Sequence, residues 1–380
     1  MSDRFHWHPE TQVFGDKQHL LKDIFAAINA NAGFCLPHEM PARVTRFAQV
    51  GPQLQCMSSG TTGTARAIRR SHLSWIKSFE RNAGMWAIRA QDTYAVLGAL
   101  SHSLALYGAM EAVHLGADLH ILTGQRPDRQ MQALSQNQIS ILYATPAQIR
   151  GLCGAPCQNL RKLLIGGARL DTATRTHAQT QFPNADIFEF YGASETSFIA
   201  LADHTTPEGS VGQAYPGAQI SILDANGTPQ PAGADGLVWV SGPYLFDDYI
   251  GPAAPATQRV DDRITVGECG ALDENGNLTL KGRYDRMVAI ADQNIYPEEI
   301  ETFLLSQPEI QNAAIIAVAD EKRGHILRGF IQGGDAETVL KHCRTTLGPL
   351  KSPRQLISIS QWPTLPSGKT DLQALKGCIK

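Results

Sequence analysis

The sequence has no surplus of charge of either sign: 33 Lys and Arg stand against 36 Asp and Glu, a net charge of −3 over 380 residues. A chain so balanced offers no basic field to collect polyanions, which argues against a nucleic-acid or anionic-membrane partner. No apolar run reaches the roughly 20 residues that a membrane-spanning helix needs. The opening stretch, Met1-Ser2-Asp3-Arg4-Phe5-His6-Trp7-His8, is polar where a secretory leader would be apolar. Cysteines are scattered and odd in number, seven in all. They do not form a secreted disulfide framework and fit a reducing, cytoplasmic compartment. Cys153 and Cys157 sit close together, but no second pair or nearby histidine completes a metal site. A Walker A loop, G-x-x-x-x-G-K-[ST], is missing. So is the full ligand spacing of a calcium loop around Asp224-Ala225-Asn226-Gly227 or Asp273-Glu274-Asn275-Gly276. The bulk composition, 43% hydrophobic and 18% charged, suits a globular chain long enough for two or three domains.

What is present is periodic. Apolar spacing predicts helices over residues 20–28, 74–87 and 104–115, and short apolar strands over 139–144, 163–165 and 187–190. Strands alternating with helical crossovers imply an α/β fold with a mostly parallel sheet, and ligands of such sheets sit at the carboxyl ends of the strands. Gly166-Gly167-Ala168 and Tyr191-Gly192-Ala193-Ser194-Glu195 both fall there. Gly and Pro punctuate short β-like runs from 211 to 280, a small β-rich subdomain. The two Asn-Gly turns within it need positive φ. Strands at 311–318, 330–331 and 356–359 and a helix over 335–346 close the chain.

One run organises the reading: Ser58-Ser59-Gly60-Thr61-Thr62-Gly63-Thr64-Ala65-Arg66. Small residues let backbone N–H groups turn inward as an anion nest, and hydroxyls add donors. This run resembles the phosphate loop of the acyl- and aryl-adenylate-forming enzymes, the AMP-dependent synthetase and ligase family. Four later segments resemble that family's motifs in the same order. They are Tyr191-Gly192-Ala193-Ser194-Glu195, Gly282-Arg283-Tyr284-Asp285, Asn294-Ile295-Tyr296-Pro297-Glu298-Glu299-Ile300-Glu301 and Pro366-Ser367-Gly368-Lys369-Thr370-Asp371. The resemblance covers residue 50 to the C-terminus. It implies a large N-terminal adenylation domain of residues 1–284 and a smaller, mobile α+β domain of residues 285–380 that turns about Asp285. In the first, parallel sheet layers are joined by a distorted β-barrel. Other members carry much more chain before the phosphate loop, so this sequence reads as a member with a shortened front. A sheet deprived of that cover needs shielding, which suggests a homodimer.

The resemblance also implies a reaction: ATP and a carboxylic acid give an acyl-adenylate, and a pantetheine thiol then takes the acyl group. The thiol belongs to coenzyme A or to an acyl or aryl carrier protein. Residues 58–64 would hold phosphates, with Thr62 also able to serve the magnesium side, and Glu195 would hold Mg²⁺. Ser194 would reach the α-phosphate. Tyr191 would stack on adenine beside Gly167, Ala168 and Gly192. Glu268 and Arg283 would take the ribose. His102, Ser103, Gly166 and Gly192 would line the acid pocket, whose small and apolar surroundings favour an aryl or modest hydrophobic acid. Lys369 would bring an ammonium to both the carboxylate and the α-phosphate. Three positions depart from the family pattern: Arg66 replaces the usual loop lysine, Glu268 the usual aspartate, and Asp292 a glycine beside the pantetheine path. Together with the front, Arg66 and Asp292 suggest a second reading, a non-catalytic or regulatory member that binds nucleotide or acid without turnover. Retention of Glu195, Arg283 and Lys369 argues against it.

Overall fold

The computed structural model describes residues 3–37, 42–48, 51–57, 66–253, 256–291, 293–321, 324–364 and 370–378. Its largest sheet has eight strands, in the order Val13–Phe14, Asp118–Ile121, Thr93–Val96, Ile141–Ala144, Lys162–Ile165, Asp186–Ala193, Ser197–Ala202 and Gln213–Ala214. The first six run parallel to their neighbours. The last two are antiparallel additions. Every residue of Ile141–Ala144 is buried, as expected of a parallel strand covered on both faces. The strand expected over 187–190 runs on to Ala193, because it pairs with Ser197–Ala202, an element the apolar pattern did not single out.

A second, five-stranded sheet was not legible from periodicity. Its order is Asp248–Ile250, Ala67–Ser71, Gln53–Met57, Gly33–Cys35 and Thr45–Phe47. Met57 pairs with Ala67, so the chain on either side of residues 58–66 is pinned at one point of this sheet. A third sheet, antiparallel throughout, is built from Gln219–Leu223, Gly236–Ser241, Gln258–Val260, Arg263–Thr265, Glu268–Leu272 and Leu278–Arg283. The 211–280 stretch is β-rich as expected, yet Gln213–Ala214 and Asp248–Ile250 serve the other two sheets. In the two Asn-Gly turns only the glycines, Gly227 (φ 80°) and Gly276 (φ 78°), take positive φ; the asparagines do not.

Residues 288–378 form a smaller unit with its own core. Asn312–Asp320, Gly324–Gln332 and Gln355–Ser358 make a three-stranded sheet. Ile295, Ile300, Leu304, Ile315, Ile331 and Val339 pack against it and its helices. Asp335 caps the helix Ala336–Lys351 by accepting from the Thr338 N–H at 2.9 Å, and Gly348 kinks the helix near its end.

At the other end of the chain, the helix Gln18–Asn29 buries Leu20, Leu21, Ile24, Phe25, Ala27 and Ile28 in the main core. Phe5 joins them, stacked on the His72 ring at 4.1 Å. The same core holds a carboxylate. Glu111, on the helix Ser103–Leu115, accepts from Asn82 Nδ2 (2.7 Å), Tyr143 OH (2.7 Å) and Tyr94 OH (3.1 Å). Burial pushes its pKa up to about 7, against the pull of those donors.

Candidate active site

The hairpin that joins Asp186–Ala193 to Ser197–Ala202 carries the Tyr191-to-Glu195 motif. Its turn is tight: a Cβ at Gly192 would stand 1.9 Å from the Ser197 carbonyl oxygen, so glycine is required there by the backbone. Ser194 Oγ reaches Ser103 Oγ at 3.4 Å. Ser103 is the first residue of its helix, His102 is the N-cap, and His102 forms a parallel bridge with Met57, the residue before the phosphate run. Acid-side and phosphate-side candidates therefore meet at one place.

Glu195 is held from two directions. Its carbonyl accepts from Phe246 N–H at 2.8 Å. Its Oε1 accepts from Tyr249 OH at 2.7 Å, and that phenol shares a 2.8 Å hydrogen bond with Thr257 Oγ1. Beneath the turn lies Arg70, 1% exposed, donating to the carbonyls of Ser194 (3.2 Å) and Tyr244 (2.5 Å) and to Ser74 Oγ (3.1 Å). Among the described residues no carboxylate lies within ion-pairing distance of Arg70, and burial lowers its pKa to about 10, still far above neutrality. The charge of Arg66 also acts on the Tyr249 hydroxyl.

A second group gathers at the end of the third sheet. Glu268 and Arg283 are cross-strand partners, with Arg283 Nη1 3.4 Å from Glu268 Oε1. Arg283 Nε also reaches Asp285 at 3.1 Å. Burial works against the Arg283 charge, but Glu268 and Asp285 outweigh it and hold its pKa above the usual arginine value. Tyr191 belongs to this group: burial, then the Glu268 charge, raises its pKa, and its buried hydroxyl has no hydrogen-bond partner among the described residues. Gly166 faces the Phe190 ring, which a Cβ there would meet at 2.2 Å. Gly167 (φ 85°) and Ala168 stand exposed beyond it. Arg169 donates to Thr302 Oγ1 at 3.0 Å, and Lys281 pairs with Glu299 at 3.2 Å, so the smaller domain docks beside this group.

Residues 58–65, with Thr62 among them, and Asp292 and Lys369 lie outside the described residues. Sequence reasoning missed Arg70, Tyr249 and Thr257, which belong to no motif and lie far from Ser194 and Glu195 in the chain. The donor set fits a nucleotide with magnesium. A half-buried carboxylate with one oxygen held by a neutral donor suits a hard cation that keeps phosphate and water ligands. An orphaned phenol beside an Arg–Glu pair leaves polar capacity for a nucleoside.

These features define a class: two-domain α/β proteins whose candidate ligand-binding groups gather at the carboxyl ends of parallel strands, beside a smaller C-terminal domain. The family model described as AMP-binding enzyme matches residues 52–250, and that of the AMP-binding enzyme C-terminal domain matches residues 299–369. The chain belongs to the AMP-binding enzyme family. Over 322 residues it is 31% identical to the uncharacterized acyl–CoA ligase YhfT of Bacillus subtilis (strain 168), covering 82% of this chain and 65% of that relative. It is 25% identical over 349 residues to the salicyl-AMP ligase / salicyl-S-ArCP synthetase of Mycobacterium tuberculosis, 85% of this chain and 60% of the relative. The chain thus spans just under two thirds of the length of such relatives. Among solved structures, o-succinylbenzoate CoA synthetase (MenE) from Bacillus subtilis with its acyl-adenylate intermediate superposes with a TM-score of 0.76. The two are 21% identical, and the match covers 85% of this chain and 68% of that one. ATP-bound MatB from Rhodopseudomonas palustris gives 0.75 at 22% identity, covering 86% and 67%.

Proposed function

We propose that this protein is an AMP-forming acid–thiol ligase. A carboxylate oxygen attacks the α-phosphorus of ATP, the bond to pyrophosphate breaks, and a pantetheine thiol then attacks the acyl carbon as AMP leaves. The observation that carries this reading is the meeting of Glu195, Ser194 and Ser103 at one turn. Glu195, read as the metal-side carboxylate, follows Ser194 in the chain, and Ser194, read as the α-phosphate-side hydroxyl, reaches the acid-side Ser103 at 3.4 Å. Magnesium, when bound, would neutralise phosphate charge. Glu195 would hold it, with Thr62 as a further hydroxyl. Residues 58–64 would cradle the outer phosphates with Arg66 beside them. Tyr191, Gly167 and Ala168 would flank adenine, and Glu268 with Arg283 would fix the ribose. The acid would sit beside His102, Ser103, Gly166 and Gly192. The relatives' names include both coenzyme A and carrier-protein ligases, so either acceptor fits.

The test is pyrophosphate release with ATP, Mg²⁺ and a panel of aryl and fatty acids, with and without coenzyme A. Release without thiol identifies the acid, and acceleration by coenzyme A identifies the acceptor. Adenylation with no coenzyme A product directs the search to carrier proteins. No release with any acid favours the nucleotide-binding, non-catalytic reading. The ligase reading includes a domain turn about Asp285, a cytoplasmic setting and pairing of two copies. A single monomeric species across concentrations in sedimentation would remove the last.

The ribose assignment has its own test. Glu268→Gln removes the charge that accepts the hydroxyls and orients Arg283. Hydrogen bonds to charged groups contribute about 1.5–3 kcal/mol, so AMP affinity measured by calorimetry is expected to fall roughly 10- to 100-fold. Unchanged affinity would take the ribose away from this pair.

A further inference from the structure

Resting on the assignment of Glu195 to the metal, the geometry points to Tyr249 as the residue that positions that carboxylate, with Thr257 behind it. A glutamate side chain has three free torsions, and ordering it on metal binding loses conformational freedom. Tyr249 removes that freedom beforehand. Its ring is 9% exposed and packs edge-on to Phe246 at 5.0 Å between centroids. A ring fixed at that depth gives its hydroxyl one place to be, 2.7 Å from Glu195 Oε1.

The chemistry of the donor matters as much as its place. A phenol is protonated at neutral pH, so Tyr249 donates its hydroxyl proton to the carboxylate. The Thr257 hydroxyl, 2.8 Å away, then donates to the phenol oxygen. A neutral donor fixes one carboxylate oxygen without cancelling the charge. Lysine or arginine in the same place would compete with the cation for Glu195. Oε2 has no partner among the described residues.

The strand that carries Tyr249 also fixes where the carboxylate stands relative to the phosphates. Asp248–Ile250 is the edge strand beside Ala67–Ser71, with Tyr249 opposite Ile68. Ala67 in turn follows the phosphate run directly. One short strand therefore sets the distance between the metal-side carboxylate and the exit of the phosphate loop.

Outer-shell partners of metal ligands typically contribute 10- to 100-fold in metal affinity. Tyr249→Phe keeps the ring and deletes the donor. The protein is loaded with a non-hydrolysable ATP analogue, and Mn²⁺ binding is read from the resonance of free Mn²⁺, corrected for binding to the analogue alone. Mn²⁺ affinity is expected to fall about tenfold or more, with metal-free nucleotide affinity unchanged and the melting temperature within a few degrees of wild type. Thr257→Val is expected to weaken Mn²⁺ less, in the same direction. Glu195→Gln is measured alongside. If Glu195→Gln loses Mn²⁺ and Tyr249→Phe binds it as wild type does, the positioning role is overturned and the ligase reading stands. If neither variant changes Mn²⁺ binding, the metal assignment of Glu195 fails and the role of Tyr249 fails with it. Should Tyr249→Phe not fold, wild-type Mn²⁺ affinity in Thr257→Val overturns the proposal.

Discussion

Lys369→Ala is expected to lose pyrophosphate release by about 10²- to 10³-fold, the effect of deleting one donor aimed at charge that develops in a transition state. Carboxylate and triphosphate are both anions, and the ammonium reduces their repulsion as they approach. The loss should appear in the rate at saturation rather than in ATP affinity, since phosphate binding is assigned to residues 58–64 and Arg66. Transfer from a preformed acyl-adenylate to thiol is expected to survive, because that step brings no carboxylate to phosphorus. Stopped-flow pyrophosphate release and a thioester assay from synthetic adenylate separate the two. Equal loss in both would assign Lys369 a general role in binding. On either side of Lys369, Thr364 and Thr370 form an antiparallel bridge, and Thr370 Oγ1 accepts from Trp362 Nε1 at 3.0 Å.

Glu111→Gln is expected to change how stability depends on pH. The unfolded side chain loses its proton near the ordinary glutamate value, 4.5, and the folded one near 7. Between these values the folded state binds the proton and the unfolded state does not. The contribution of Glu111 is therefore fully present below pH 4.5 and lost as pH rises to about 7. The shift corresponds to about 3 kcal/mol as an order of magnitude. Urea midpoints at pH 5 and pH 8 provide the measurement. The variant should gain on wild type by about that much between the two, and the difference cancels other titrating groups such as Glu298. A constant offset at both values would mean that Asn82, Tyr94 and Tyr143 stabilise the anion as well as water does. Because Ser103 begins the helix that carries Glu111, this network also supports one wall of the proposed acid pocket.

What the sequence made legible is what local patterns encode. Period-3.6 spacing located the helices Gln18–Asn29 and His72–Trp86, and short apolar runs located three of the six parallel strands, Ile141–Ala144, Lys162–Ile165 and Asp186–Ala193. The motifs brought Glu268 to Arg283 before any coordinates; the approach of Ser194 to Ser103 came only with them. The five-stranded sheet was hidden because its strands are only three to five residues long and polar residues interrupt them. In Ala67–Ser71 the inward positions are Ile68 and Arg70, and a buried arginine breaks the apolar signal. Arg70 and Tyr249 were invisible for a related reason. Their meaning lies in contacts across 124 and 54 residues of chain, and no spacing rule reaches that far.

Of the seven free thiols, five are buried, and only Cys153 and Cys378 face solvent. One sits in the larger body and one near the end of the smaller. The molecule thus carries its own pair of attachment points for spectroscopic labels. A distance distribution between Cys153 and Cys378, recorded with and without nucleotide, would report on the relative placement of the two domains in the native sequence, without engineered cysteines.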